Sequence, residues 1–259
     1  EKKGEELKFN ARFIVAAMDV ETLYEKIMDI SLSGDKFLKR LRNAELYSSA
    51  VTVSIGLDCS AQSLGLNDEL ILISKDDILR TDHICGDPHK SDISVISSSA
   101  RDKSMAPEGK GTMTIYCPAY FRDFNKVKGE EYRQKKEDFA QILIDRVEKA
   151  LSKNISDHIE FMDVATPVTY HRYTGNKEGT MMGARPGKTN FQAKIAHLRT
   201  PLENVFLCGH WAALGGGVPI AVSTAANAAL FVLKNDKNKF FHKLGKYFDG
   251  SVTVDELYG

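Results

Sequence analysis

The chain has 259 residues, enough to bury a sizeable core in one large domain or two modest ones. Hydrophobic residues make up 42% and charged residues 27%, ordinary for a soluble globular protein. Thirty-five basic residues balance 35 acidic ones, so net charge gives no reason to expect a nucleic-acid partner or an acidic membrane surface.

Residues 11–17 (ARFIVAA) read as a buried strand, and Asp19 is placed to cap a helix whose Val20, Leu23, Tyr24 and Ile27 recur at helical spacing. A second short helix is predicted over residues 36–42. From Ala50 the period changes to two: Val51, Val53, Ile55 and Leu57 alternate with smaller or polar residues, the pattern of a half-buried strand. Further strands are predicted at 69–74, 93–98 and 112–117, separated by Gly- and Pro-containing turns. Such a succession favours a mixed or antiparallel sheet with one packed face.

A long amphipathic helix is predicted over about 130–151, with Phe139, Ile142, Leu143, Val147, Ala150 and Leu151 as its inner stripe. The basic run at 133–136 lies among Glu130, Glu131, Glu137 and Asp138, which marks a solvated helix face. Residues 159–166 read as another strand, residues 170–190 as a loop, and residues from Lys234 onward as a Lys-rich tail.

Between them lies the most informative stretch, residues 204–233. A short strand at 205–207 runs into Gly209, then the triplet Gly215, Gly216, Gly217, then an Ala-rich helix beginning near Val218 with Pro219 early in it. Glycines let a ligand approach the backbone, and the first amides of a helix have no partner one turn earlier. Pro219 suits that placement, since its missing N–H costs nothing in the first turn. A helix N-terminus stabilises nearby negative charge by about 0.3–2 kcal/mol. A flavin gains charge at its N1/C2=O edge on reduction, so a helix aimed there would raise its potential by a few tens of millivolts. The same pattern also fits a plain tight turn in which glycines allow close strand–helix packing.

The dinucleotide fingerprint G-x-G-x-x-G is absent: Gly109 and Gly111 are followed by Thr114, and Gly215 and Gly217 by Ile220. The chain opens on Glu1, in mid-phrase, and is expected to be the C-terminal part of a longer protein. The four cysteines (Cys59, Cys85, Cys117, Cys208) show neither a C-x-x-C pair nor metal-like spacing with histidine, so no metal site is expected. Reduced thiols and a cytoplasmic location are expected instead. No contiguous apolar run approaches the roughly 20 residues of a membrane span, so no transmembrane segment is expected.

Four stretches, in order, resemble the phytoene desaturase, carotenoid isomerase and retinol saturase-like oxidoreductases. Residues 206–219 (FLCGHW…GGGVP) are similar to that family's C-terminal flavin-binding motif. Residues 11–19 resemble its strand and alanine–aspartate turn, and residues 102–109 (DKSMAPEG) its D-x-x-x-A-P-E-G segment. Residues 166–169 (TPVT), with Tyr173, Gly175 and residues 179–183, resemble its return to the flavin. The resemblance covers most of residues 9–234.

It implies an α+β (mixed α/β) fold: a substrate domain with a mixed or antiparallel sheet, plus part of a Rossmann-like FAD-binding domain. The implied pieces are 1–30 (partial FAD domain), 31–164 (substrate domain), 165–234 (returning FAD segment) and 235–259 (C-terminal tail). The implied activity of the complete protein is FAD-dependent desaturation, saturation or isomerisation of an apolar polyene or isoprenoid. The ADP part of FAD would be held by an N-terminal half not contained here, and peripheral access to a membrane-held substrate is compatible with this. By position, Gly209 would lie near the ribityl–phosphate region, while Gly216, Gly217, Val218 and Pro219 would face the pyrimidine edge of the ring. His210, Trp211 and Gly215 complete the implied cofactor-binding set; relatives often carry an acidic or small polar residue where His210 and Trp211 stand. An elongated apolar pocket is expected between the sheet at 50–117 and the flavin.

No Ser-His-Asp set or paired carboxylates stand out, so no catalytic residue is assigned. The cofactor would carry the redox chemistry. His171, Arg172 and Tyr173 could anchor a polar end of a substrate, although a loop-stabilising role is the commoner one. Arg185 and Lys188 could meet a phosphate or simply be solvated. His83, His89 and His158 show no partner spacing and are expected to be structural or exposed. The rival to an enzyme is a non-catalytic module that binds a hydrophobic ligand or partner protein without FAD.

Overall fold

The computed structural model describes residues 7–28, 34–79 and 81–258. The expected boundary at 30/31 and the opening Glu1 lie outside the described residues. The chain divides into two compact units, residues 47–181 and residues 1–46 with 182–259.

The unit 47–181 is built on a five-stranded antiparallel sheet. In chain order its strands are β2 (Ser49–Leu57), β3 (Leu70–Ile73), β4 (Ile93–Ile96), β5 (Gly111–Ala119) and β6 (Ile159–Ala165), and their spatial order is β3-β4-β5-β2-β6. The alternation seen from Ala50 is realised directly: Val51, Val53, Ile55 and Leu57 all point into the core, and β2 pairs with β5 from Ser49↔Ala119 to Leu57↔Gly111. The helix Gly129–Leu151 covers that face with Phe139, Ala140, Leu143, Ile144 and Val147. Its inner stripe is widened from the expected one: Ala140 and Ile144 join it at i, i+3, i+4, i+7 spacing, Leu151 packs against the core as expected, and Ala150 is exposed.

The expected loop over 170–190 is partly helical. Pro167–Thr174 forms a helix capped at Thr166, whose side chain and that of Thr169 make a reciprocal capping box. Pro167 stands at its first position, and Gly175 closes it in the left-handed region at φ 69°. A second helix, Lys188–Ala193, belongs to the other unit.

That other unit contains a two-stranded parallel pair, β1 (Ile14–Ala16) and β7 (Val205–Leu207), in register Ile14↔Val205 to Ala16↔Leu207. Around it lie a turn of helix that begins at Val20 and widens into a π-helical stretch (Leu23–Ile27), and the helix Asp35–Arg42. Asp19, 3% exposed, caps the first of these by accepting the amide of Thr22 at 2.8 Å. Val20, Tyr24, Leu38, Leu207 and Trp211 meet in the core. The Ala-rich helix runs Gly217–Asn235, and the expected tail is folded into two more helices, Lys239–Phe248 and Val254–Tyr258. Asn238 starts the first of them by accepting the amide of Phe240.

Both the parallel pair and the long helix leave apolar surface uncovered in this unit. Ile14 and Val15 are about half exposed, and only Thr224 and Ala228 of the helix Gly217–Asn235 are buried. By length and composition that helix is apolar enough to cross a membrane, contrary to the expectation from contiguous runs. Ser223, Thr224 and Asn227 interrupt any uninterrupted apolar run without lowering the average much.

Candidate functional site

The strand β7 ends at Leu207, and the Cys208 amide still pairs with the carbonyl of Ala16 at 3.0 Å. Gly209 then leaves the extended conformation at φ 82°, where a side chain would be strained. A Cβ placed on Gly209 would meet nothing within 4 Å. The amide of Gly209 donates to Thr224 Oγ at 2.9 Å, and this hydroxyl lies 2.9 Å from the carbonyl of Ile220 one turn earlier. A single buried hydroxyl therefore ties the loop after β7 to the helix that follows it.

The glycine triplet has two distinct jobs. A Cβ on Gly216 (φ 62°) would lie 2.4 Å from the Cβ of Met182, so here glycine permits close packing. A Cβ on Gly217 (φ 79°) would meet only Pro219 Cδ at 3.8 Å, so the space before this residue is open. Gly215 is intermediate, with Ile220 at 3.6 Å. Among the described residues no side chain caps the helix, which starts at Gly217, and Val218 at its second position is 75% exposed. Its first amides thus face outward with the positive end of the helix dipole behind them. Open backbone at Gly209 and Gly217 beside an uncapped helix start fits a flat, electron-rich group such as the flavin of FAD.

His210 packs its ring on Gly183, where a Cβ would lie 2.8 Å from Cδ2, and its Nε2 is buried with no hydrogen-bond partner among the described residues. Burial pushes the His210 pKa down, the nearby Asp19 carboxylate opposing the effect, so the ring favours its neutral form. Trp211 is 4% exposed and forms part of the core. Near the same strands, Tyr24 Oη lies 2.8 Å from His197 Nε2, while His197 Nδ1 lies 2.9 Å from the carbonyl of Ile195. Burial raises the Tyr24 pKa to about 12 and lowers that of His197.

The other residues singled out by type have local partners. His171 Nδ1 is 2.7 Å from the carbonyl of Asn176, and its ring meets Phe121 edge-on. Arg172 lies over the exposed ring of Tyr173. Arg185 pairs with Glu45 at 2.8 Å and holds that carboxyl below its usual range. His83 and His158 each sit against an aspartate, Asp92 and Asp58 respectively. Among the glycine-loop residues the sequence reading passed over Thr224; its one signal is a polar residue one turn inside an otherwise apolar helical stretch.

Over 230 residues the chain is 29% identical to all-trans-retinol 13,14-reductase of Danio rerio, covering 80% of this chain and 38% of that protein. Over 122 residues it is 31% identical to the chloroplastic prolycopene isomerase of Arabidopsis thaliana, covering 47% and 20%. The similarities are thus to a retinol reductase and a carotenoid isomerase. The chain spans well under half the length of either curated relative. An oxidoreductase from Methanosarcina mazei aligns at a TM-score of 0.49 and 12% identity, covering 85% of this chain and 43% of that one. No family model matches.

Proposed function

We propose that this chain is the C-terminal portion of an FAD-dependent oxidoreductase that desaturates, saturates or isomerises an apolar polyene or isoprenoid. The observation that carries the reading is the open glycine loop at an uncapped helix start, in a chain related to a retinol reductase and a prolycopene isomerase. Bound there, the flavin would supply the hydride chemistry. The chain's own part is to meet the ring with the backbone of Gly209, Gly217 and Val218, and to favour charge on its pyrimidine edge through the helix dipole.

Uncovered apolar surface supports the view that further polypeptide completes the flavin domain. Parallel strands are normally buried on both faces, yet Ile14 and Val15 of β1 stand half exposed. The helix Lys239–Phe248 supports access to a membrane-held substrate: Lys239, Lys243 and Lys246 fall on one side and Phe240, Phe241, Leu244 and Phe248 on the other.

The test is to read the coding sequence upstream of Glu1 and purify the complete product. A strand followed by G-x-G-x-x-G, in a yellow protein with flavin absorbance, is expected. A complete product without flavin absorbance, and unresponsive to added FAD, would overturn the reading in favour of a non-catalytic ligand- or partner-binding module.

A further inference from the structure

A separate cluster in the unit 47–181 has chemistry of its own. The strand β2 ends at Leu57 and carries Asp58 and Cys59 out of the sheet, while a short turn, Ser156–His158, leads into β6. The two strands pair Gly56↔Phe161 and then Leu57↔Ile159, a register shift that leaves Glu160 as an extra residue. This bulge sets His158 opposite Asp58. The Asp58 amide donates to the His158 carbonyl at 3.0 Å, and Asp58 Oδ1 lies 2.8 Å from His158 Nδ1. The third member, Cys59, is fixed from the other side. Gly111 of β5 lets its backbone close in, since a Cβ there would be 2.9 Å from the Cys59 carbonyl oxygen.

We propose that Asp58, Cys59 and His158 form a binding site for a divalent transition-metal ion of the zinc type. One ligand atom from each residue lies within 4.8 Å of the other two. A tetrahedral ion with bonds of about 2.0–2.3 Å needs its ligand atoms roughly 3.3–3.7 Å apart. Small side-chain rotations therefore suffice to close the site. A thiolate and a carboxylate would balance a doubly charged ion, and the imidazole adds a neutral nitrogen; this sulfur–nitrogen–oxygen set suits zinc over the oxygen-seeking calcium and magnesium. Side chains of His158 and Asp58 are 40% and 53% exposed, so both the ion and a fourth ligand from solvent have access. Cys59 is a free, half-buried cysteine. The other His–Asp pair, His83 with Asp92, has no such third ligand beside it among the described residues. The proposal is independent of the flavin reading.

Cobalt(II) reports on it directly, because a cobalt–thiolate bond gives a near-ultraviolet charge-transfer band. Titrated into the full chain, cobalt is expected to raise that band to a plateau at one equivalent, and zinc to erase it. Cys59→Ser should abolish the band and His158→Gln weaken cobalt binding at least tenfold, whereas Cys85→Ser and Cys208→Ser leave both unchanged. Circular dichroism checks that each variant is folded, and Asp58→Asn replaces any that is not. No band in the wild-type chain at saturating cobalt, or a band that survives Cys59→Ser, would overturn the proposal.

Discussion

Replacing Thr224 by valine tests whether one hydroxyl holds the glycine loop to its helix. Thr224 is 3% exposed, and its Oγ accepts the Gly209 amide at 2.9 Å. Valine keeps the shape but leaves that amide without a partner. An unsatisfied donor costs about 1–3 kcal/mol when fully buried, an upper bound for the part-buried Gly209 amide, and the methyl that replaces the hydroxyl returns up to ~1 kcal/mol of apolar burial. The carbonyls of Ile220 and Ala221, also near the hydroxyl, keep their helical partners and add little. A net loss of about 1–2 kcal/mol follows, a substantial share of the 5–15 kcal/mol typical of a domain. Urea denaturation should show the midpoint falling by roughly half a molar. Amide hydrogen exchange gives the local readout: Gly209 should exchange faster in Thr224→Val and stay protected in Thr224→Ser, which keeps the hydroxyl. An unchanged midpoint together with slow Gly209 exchange in the valine variant would refute the clamp.

Gly179→Ala should be severely destabilising, by more than about 3 kcal/mol, because its Cβ would lie 2.2 Å from the carbonyl oxygen of Pro167 at φ 62°. Thermal unfolding near the wild-type temperature would contradict that geometry. In the complete protein, Gly217→Val should lower the flavin-to-protein absorbance ratio, since a branched side chain would fill the open space and strain φ 79°; full occupancy would place the cofactor elsewhere. His197 has its pKa depressed from 6.5 by burial, the Ile195 carbonyl opposing, so the unfolded chain takes up this proton first as pH falls. Its contribution is complete above about pH 6.5 and is lost as pH drops toward the folded value; the stability–pH slope in that window should flatten in His197→Gln, and an identical slope would exclude it. Reversing Lys239, Lys243 and Lys246 to glutamate should reduce sedimentation with anionic vesicles, and equal binding would remove that helix from any membrane contact.

The sequence carried the β-sheet plainly. Residues 51–57 alternate so cleanly that only one face of β2 can be buried, and strand β7 was delimited to the residue by the glycines and polar residues around it. Thr166, Pro167 and Gly175 were a complete set of helix start and stop signals, yet the Gly- and Thr-rich composition of 170–190 reads as loop. The Lys-rich tail hid an amphipathic helix because the run of charges outweighed the spacing of Phe240, Phe241, Leu244 and Phe248.

Sequence by itself determined the local chemistry: which backbone can turn sharply at Gly209, where a helix begins without a cap, and which family the ordered motifs resemble. Contacts between distant residues needed the folded chain. Only there does Gly216 prove to be packed on Met182 while Gly217 faces open space, and only there does Thr224 reach back to Gly209. Likewise Asp58 and Cys59 meet His158, a hundred residues on, through a one-residue bulge between antiparallel strands. Local dihedral and charge preferences are short-range and leave their mark on neighbouring letters, whereas register and packing arise from pairings that no local spacing encodes.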